Sequence, residues 1–211
     1  GEIIDTLFNA ATARGFNEKR IDGYEFSPNE KLILLQTKTV GIYRNSYTAE
    51  HYIFDRKNNK AEVLSQNGAQ QVPKFSPDGS MIAFVRNNNI YLVKLLFGNA
   101  ESQVTTDGEY GKIINGIPDW VNEEEFATNR SFDFSADSKM LAWVRYDESK
   151  VPVYSMTMYQ GAAPAYNQQF MNSNGYNNPA TFGTPVNNAV NNNGLFSFAF
   201  KRQIFSLQIL N

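Results

Sequence analysis

A run of acidic residues beside a tryptophan is the part of this sequence best suited to chemistry. Residues 119–126 read Asp-Trp-Val-Asn-Glu-Glu-Glu-Phe and directly follow Pro118. Glutamate is a poor strand former, whereas Asp119 is a good helix N-cap and acidic side chains in a first turn suit the helix dipole. The pattern therefore predicts a short helical turn near 119–126 that interrupts a strand-rich chain and holds several carboxylates together.

The adjacent carboxylates Glu123, Glu124 and Glu125 favour cation binding over acid–base catalysis. Successive side chains on a helix point about 100° apart, so two of them can approach one ammonium group, which has three donors. Glycosidases need two carboxylates about 5–10 Å apart across a bond, and neighbours on one turn do not provide that arrangement. The alternative is a solvated charge run, which the sequence alone leaves open.

A second candidate is Arg44, which lies between two tyrosines in residues 42–49. Its planar guanidinium offers five donors suited to a carbonyl or carboxylate; the alternative is an exposed strand arginine packed on a neighbour. No Gly-x-Ser-x-Gly nucleophile elbow, glycine-rich phosphate loop or EF-hand loop is present. The single histidine, His51, has no evident triad partner, so we interpret it as a strand histidine rather than a catalytic base.

Composition excludes several classes of function. The 211 residues include no cysteine and one histidine, so disulfides and Cys/His zinc sites are excluded, and we expect neither metal nor cofactor. The net charge of −2 does not favour nucleic acid, and no run approaches the roughly 18 apolar residues of a membrane span. The sequence starts without Met or a signal pattern, which predicts that it begins inside a longer protein.

Three similar segments begin at Phe26, Phe75 and Phe134, each with a strand end, a Ser-Pro-Asp-Gly-like turn and an apolar strand. Their spacing of about 50–60 residues is typical of propeller blades of about four strands. The alternative is unrelated hairpins that share turn chemistry. We predict an all-β fold, an incomplete β-propeller of about three antiparallel four-stranded blades, which occupies residues 1–166.

The composition changes after Lys150. Residues 151–200 contain no Asp, Glu, Lys or Arg, and residues 167–194 are mostly Asn, Gln, Gly, Pro and Ala. Such a segment cannot bury enough apolar surface to offset its ordering entropy, so we expect 167–194 to be disordered. Residues 195–211 are apolar again, as a strand pair or an unpaired hydrophobic end.

The chain resembles the β-propeller domain of dipeptidyl peptidase IV, in the prolyl oligopeptidase family, most closely its bacterial members of the Bacteroides type. The Asp-Trp-Val-x-Glu-Glu-Glu stretch is highly specific for that family. The resemblance covers about four-fifths of the chain and fades after Tyr166. The segments that carry it are 5–9, 42–49, 71–79, 115–126 and 147–152.

The resemblance implies an eight-bladed propeller that caps an α/β-hydrolase domain and an activity that releases Xaa-Pro or Xaa-Ala dipeptides from peptide N-termini. It implies that Glu124 and Glu125 bind the substrate α-ammonium, that Glu123 contributes much less, and that Arg44 contacts a substrate carbonyl. The catalytic Ser, Asp and His belong to the hydrolase domain, so no catalytic residue is expected in this chain. The residues do not indicate a compartment, whereas the resemblance implies a periplasmic or cell-envelope location and leaves homodimer formation open.

The sequence departs from the family pattern after Tyr166, where an Asn-rich stretch replaces further blades. A truncated gene fragment and a divergent, shortened paralogue both fit this departure. For function, the resemblance favours the substrate-binding and gating propeller of a serine exopeptidase. The alternative is a non-catalytic propeller that binds proteins or peptides.

The composition of 167–194 leads to a prediction about proteolysis. Limited digestion of the native chain with a broad-specificity protease should cut first within this segment, because proteases select chain that is not tied down. Mass spectrometry of the early fragments gives the cut sites. Strong amide-exchange protection across 167–194 would contradict the prediction.

Overall fold

The computed structural model describes residues 6–151, 153–157, 195–199 and 204–210. Within these ranges the chain forms antiparallel sheets and one short α-helix. The predicted all-β fold, a partial β-propeller of about three blades, is therefore confirmed. The segment 167–194 lies outside the described residues, and the domain boundary after Tyr166 stays a prediction.

The first two blades are four-stranded antiparallel meanders with the same order. The strands are β1 (Gly23–Phe26), β2 (Leu32–Gly41), β3 (Tyr47–Asp55), β4 (Lys60–Val63), β5 (Gln71–Phe75), β6 (Met81–Arg86), β7 (Asn89–Lys94) and β8 (Ala100–Gln103). The first blade is β1-β2-β3-β4 and the second is β5-β6-β7-β8. A turn of 3-10 helix at Leu95–Phe97 precedes β8.

The third blade has an interrupted first strand. Two short strands, β9 (Ile113–Asn115) and β10 (Phe132–Phe134), pair with successive halves of β11 (Leu141–Asp147). The α-helix α1 (Trp120–Phe126) lies between β9 and β10 in the chain. The helix α1 therefore lies in an insertion that leaves the first strand of the blade at Gly116 and returns to it at Ser131, where both residues bond to Val144 of β11.

The C-terminal region contributes two further strands. The strand β14 (Ile204–Leu210) pairs along the whole of β11, and β12 (Val153–Thr157) pairs with β13 (Leu195–Ala199). The sequence left 195–211 open between a strand pair and an unpaired end. In the structure, each of the two strands found there pairs with a strand that lies earlier in the chain.

The repeated turn has one hydrogen-bond pattern in all three blades. The serine hydroxyl accepts from the backbone amide five residues later and donates to the side chain two residues later. The serines are Ser27, Ser76 and Ser135. This shared pattern supports true repeats over unrelated hairpins, because the turn positions correspond atom by atom.

The turns also connect neighbouring blades. The backbone N–H of Asp78, in the second blade, donates to Ser138 Oγ of the third blade at 3.0 Å. On the other side, Gly79 lies against the turn of the first blade, where a Cβ would come 3.5 Å from Asn29 Nδ2. Its φ of +71° explains the glycine of the motif.

The apolar core lies between the blades, because alternate residues of a strand face opposite sides of its sheet. The cluster between the first two blades comprises Leu34, Ile53, Leu64, Phe75, Ile82, Phe84 and Val93. The cluster between the second and third comprises Val72, Ala83, Val85, Ile90, Ile117, Phe132, Leu141 and Trp143. Strand β6 contributes to both, so each blade depends on its neighbours for burial.

The outer face of the first blade is covered by the chain segment that precedes it. Phe8 and Phe16 pack edge to face, at 5.1 Å between ring centroids, and Phe8 also packs on Phe54 of β3 at 5.0 Å. Gly15, with φ of +80°, passes so close to β4 that a Cβ would lie 2.4 Å from the Ala61 carbonyl oxygen. This segment therefore buries the face of the first blade that is turned away from the second.

The turn of the second blade leads to a prediction about pH and stability. Hydrogen bonds from the Ser76 hydroxyl and the Ser80 amide lower the pKa of Asp78 from 3.8 to about 2. Because the folded-state pKa lies below the unfolded value, the stabilisation is complete above about pH 4 and is lost as the pH falls towards 2. Urea unfolding should show Asp78→Asn to be less stable than wild type at pH 6, with the difference shrinking between pH 4 and 2. A difference that stays constant over that range would contradict the assignment.

Candidate functional site

The helix α1 begins at a side-chain cap, as its sequence predicts. Asp119, buried and extended at φ −76°, accepts hydrogen bonds at Oδ1 from the Asn122 backbone N–H at 2.9 Å and from Asn122 Nδ2 at 2.7 Å. The helix ends at Ala127, which adopts a left-handed conformation at φ 49°. Seven residues, Trp120–Phe126, form the helix, so the predicted short turn is present and its three glutamates point in different directions.

Glu123 points into the protein. Its side chain is 1% exposed, and Oε1 accepts from the backbone N–H groups of Asn45 at 2.7 Å and Ser46 at 2.8 Å. These amides belong to the connection between β2 and β3 of the first blade. The glutamate run and the Arg44 segment, separate candidates in the sequence, are therefore in direct contact.

Glu124 faces Arg44 across this contact. The Arg44 Nε lies 3.2 Å from Glu124 Oε2, with the arginine side chain 78% exposed and the glutamate 22% exposed. The next residue, Glu125, is exposed, and within the described residues its carboxylate forms no hydrogen bond or ion pair. Two of the three predicted site residues, Arg44 and Glu124, are thus in contact, and Glu125 follows Glu124 in the same helix with its side chain exposed.

Arg44, Glu124 and Glu125 together carry a formal net charge of −1. Two exposed aromatic side chains of α1, Trp120 at 43% and Phe126 at 71%, belong to the same helix. In the residue before Arg44, burial raises the pKa of the Tyr43 phenol, and the nearby Tyr110, Glu123 and Asp119 raise it further. Tyr43 is therefore neutral at pH 7.

Sequence reasoning did not identify Asn129. Its Nδ2 donates to the Asn45 carbonyl oxygen at 2.9 Å, which is a second link between the end of α1 and the first blade. A backbone acceptor leaves no trace in residue types, so no signal in the sequence indicated this contact. Asn129 also lines a polar cavity of about 170 Å³ together with Glu25, Tyr47, His51 and Arg130, among others.

His51 has the character expected of a strand histidine. It is buried in β3, and its Nδ1 lies 3.0 Å from Gln70 Oε1. Burial lowers its pKa to about 4, so the ring is neutral at pH 7. Among the described residues there is no group of three or more His, Asp or Glu side chains placed to hold a metal ion. In the same part of the chain, no helix is long and apolar enough to cross a membrane.

Blades of four antiparallel strands, with an acidic helix inserted into one of them, define this chain as part of a β-propeller. The chain belongs to the family described as the dipeptidyl peptidase IV (DPP IV) N-terminal region, whose family model matches residues 27–186.

Similar proteins agree with this assignment. A probable dipeptidyl peptidase 4 of Aspergillus clavatus is 38% identical over 149 residues, which are 68% of this chain and 19% of the relative. The human prolyl endopeptidase FAP is 35% identical over 158 residues, 73% of this chain and 20% of that protein. The crystal structure of Porphyromonas gingivalis dipeptidyl peptidase 4 matches with a TM-score of 0.79 and 37% identity, over 100% of this chain and 27% of that one. The chain spans about a fifth of the length of the curated relatives it matches.

The cap of α1 leads to a prediction about stability. Asp119→Ala removes the acceptor for both Asn122 donors and should lower the free energy of unfolding by about 1–2 kcal/mol, as measured by urea denaturation. The control is Asp119→Asn, which keeps an acceptor oxygen and should lose clearly less. Equal losses in the two variants would show that the oxygen does not act as the cap.

Proposed function

We propose that this chain is the substrate-binding and gating part of the propeller of a dipeptidyl-peptidase-IV-like serine exopeptidase. Such an enzyme releases Xaa-Pro or Xaa-Ala dipeptides from peptide N-termini. The observation that carries the proposal is the meeting of Arg44 and Glu124 at 3.2 Å, with the exposed Glu125 beside them.

The chemistry of the cluster suits a peptide N-terminus. An α-ammonium has a single positive charge and three N–H donors, and two carboxylates from one helix can accept from it. Arg44 partly neutralises Glu124, whereas Glu125 is exposed and makes no ion pair within the described residues. A bound ammonium adds the charge that makes the cluster neutral, while the Arg44 fork can turn to a carbonyl oxygen of the same peptide.

Fixing the ammonium also determines where the peptide is cut. If Glu124 and Glu125 hold the first nitrogen, the carbonyl that reaches a nucleophile is set by the distance between the two sites. Acyl transfer would be performed by a Ser-His-Asp triad in a hydrolase domain of the parent protein. The role of this chain is then to select substrates with a free amino group and to exclude longer N-terminal extensions.

The proposal predicts a charge-dependent selectivity in a complete enzyme that carries residues 1–166 as its N-terminal part. Glu124→Gln and Glu125→Gln should each lower kcat/KM for an Ala-Pro chromogenic amide about ten- to a hundredfold, because each removes a charge-assisted contact to the ammonium. The double variant should lose less than the sum of the single losses in free energy if one carboxylate partly replaces the other. Arg44→Ala should also lower kcat/KM while leaving the fold intact.

Matched controls separate this role from general damage. Glu62→Gln removes a carboxylate of another surface ion pair, 2.5 Å from Lys60, and should leave kcat/KM unchanged. The N-acetylated substrate lacks the charge and should respond little to Glu124→Gln and Glu125→Gln. The 211-residue chain alone should show no turnover, since it has no nucleophile elbow. Wild-type selectivity for the free amine in Glu124→Gln and Glu125→Gln would reject the proposal.

A further inference from the structure

The carboxylate of Glu123 is the one member of the glutamate run that the proposed ammonium site does not use. It is nevertheless the most buried, at 1% exposure, and it is directed at backbone rather than at a side chain. A buried carboxylate is costly unless hydrogen bonds satisfy it. Here the N–H groups of Asn45 and Ser46 donate to its Oε1 at 2.7 and 2.8 Å.

The turn that receives this carboxylate is also closed by hydrogen bonds of its own. The Ile42 N–H donates to the Ser46 carbonyl at 2.8 Å, and the Tyr43 N–H donates to Ser46 Oγ at 3.2 Å. The next two backbone N–H groups, those of Asn45 and Ser46, donate to Glu123. Glu123, which lies outside the turn, therefore fixes the direction of the backbone directly after Arg44.

A second bond completes the attachment from the other end of α1. Asn129 Nδ2 donates to the Asn45 carbonyl oxygen at 2.9 Å, so both polar backbone groups of Asn45 bind the segment that carries α1. Glu123 and Asn129 belong to the third blade, whereas Asn45 and Ser46 belong to the first. The two blades are thus joined at the point where Arg44 and Glu124 meet.

We propose that Glu123 is a positioning residue: by accepting the Asn45 and Ser46 amides, it holds the Arg44 turn so that the Arg44 guanidinium lies beside Glu124. Its relevance to substrate selection rests on the proposed function. The three consecutive glutamates then have separate tasks, with Glu123 orienting the turn and the two later residues facing the solvent. The backbone attachment itself does not depend on what the cluster binds.

The first test uses the full 211-residue chain and NMR. In Glu123→Ala, amide hydrogen exchange at Asn45 and Ser46 should become about tenfold faster or more, because their acceptor is gone. The Arg44 Nε–H resonance should move towards its position in Glu124→Gln, where the ion pair is removed directly. In Glu123→Gln the carboxamide oxygen can still accept both amides, so most of the protection and the Arg44 resonance should be restored.

Two controls keep this test decisive. Glu62→Gln removes one carboxylate charge at the Lys60 ion pair and should alter neither the two amides nor the Arg44 resonance. The amides of β6 and β7 report whether the blades remain folded. If the β6 and β7 amides lose their protection in Glu123→Ala, that variant is unfolded and Asn129→Ala becomes the deciding variant. Asn129→Ala removes the bond to the Asn45 carbonyl and should shift the Arg44 resonance part of the way. Unchanged Asn45 and Ser46 exchange in a folded Glu123→Ala, or an unmoved Arg44 resonance in the deciding variant, would overturn the proposal.

The second test uses a complete enzyme that carries this segment. Glu123→Ala should raise KM for the free-amine Ala-Pro amide about tenfold with a smaller change in kcat, and Glu123→Gln should be near wild type. In an Arg44→Ala background, Glu123→Ala should add little further loss, because the side chain that it positions is already gone. A full additional loss in that background would count against positioning. If the NMR results hold while Glu124→Gln and Glu125→Gln leave the selectivity unchanged, the proposed function fails and the placement of the Arg44 turn by Glu123 stands.

Discussion

The fold depends on one constraint, which is that every central strand of a blade has two apolar faces to bury. A single antiparallel sheet in water can leave one face solvated. Here β6 sends alternate residues into two different clusters, one against the first blade and one against the third. A blade of this kind is incomplete without a neighbour on each side. The positions of the turns, of α1 and of the Arg44 segment follow from the stacking that satisfies this requirement.

The stacking is also what makes a site from segments far apart in the sequence. Arg44 and Glu124 approach because their blades are brought together, and hydrogen bonds from Asn45, Ser46 and Asn129 then set the approach in detail. The apolar clusters supply the adhesion, which has little directionality, whereas buried polar contacts supply the geometry. Glu123 is an example of this division: it is buried and bonds to backbone, next to Glu124 and Glu125 on the same helix.

Local features were predictable from residue types, and contacts between blades were not. The Asp119 cap, the short helix and the serine turns follow from side-chain chemistry that acts over a few residues, so the sequence indicates them directly. The pairing of Arg44 with Glu124 depends on how blades stack; the family resemblance named both residues as substrate contacts and did not indicate that they pair. The bonds from Glu123 to backbone amides had no signal at all, because any residue type can supply an N–H. The sequence did not predict that β14 pairs with β11, since pairing between strands far apart in the chain leaves no local pattern.

The segment that covers the first blade has a further consequence. Phe8, Phe16 and the backbone around Gly15 cover the face of the first blade that is turned away from the second. Strand β2 therefore buries one face against the chain that precedes the blade and the other against the second blade. These contacts are closer in sequence than the pairing of β11 with β14. Contacts that are close in sequence lose less loop-closure entropy when they form, so the first blade is expected to acquire its structure earlier in folding than the third.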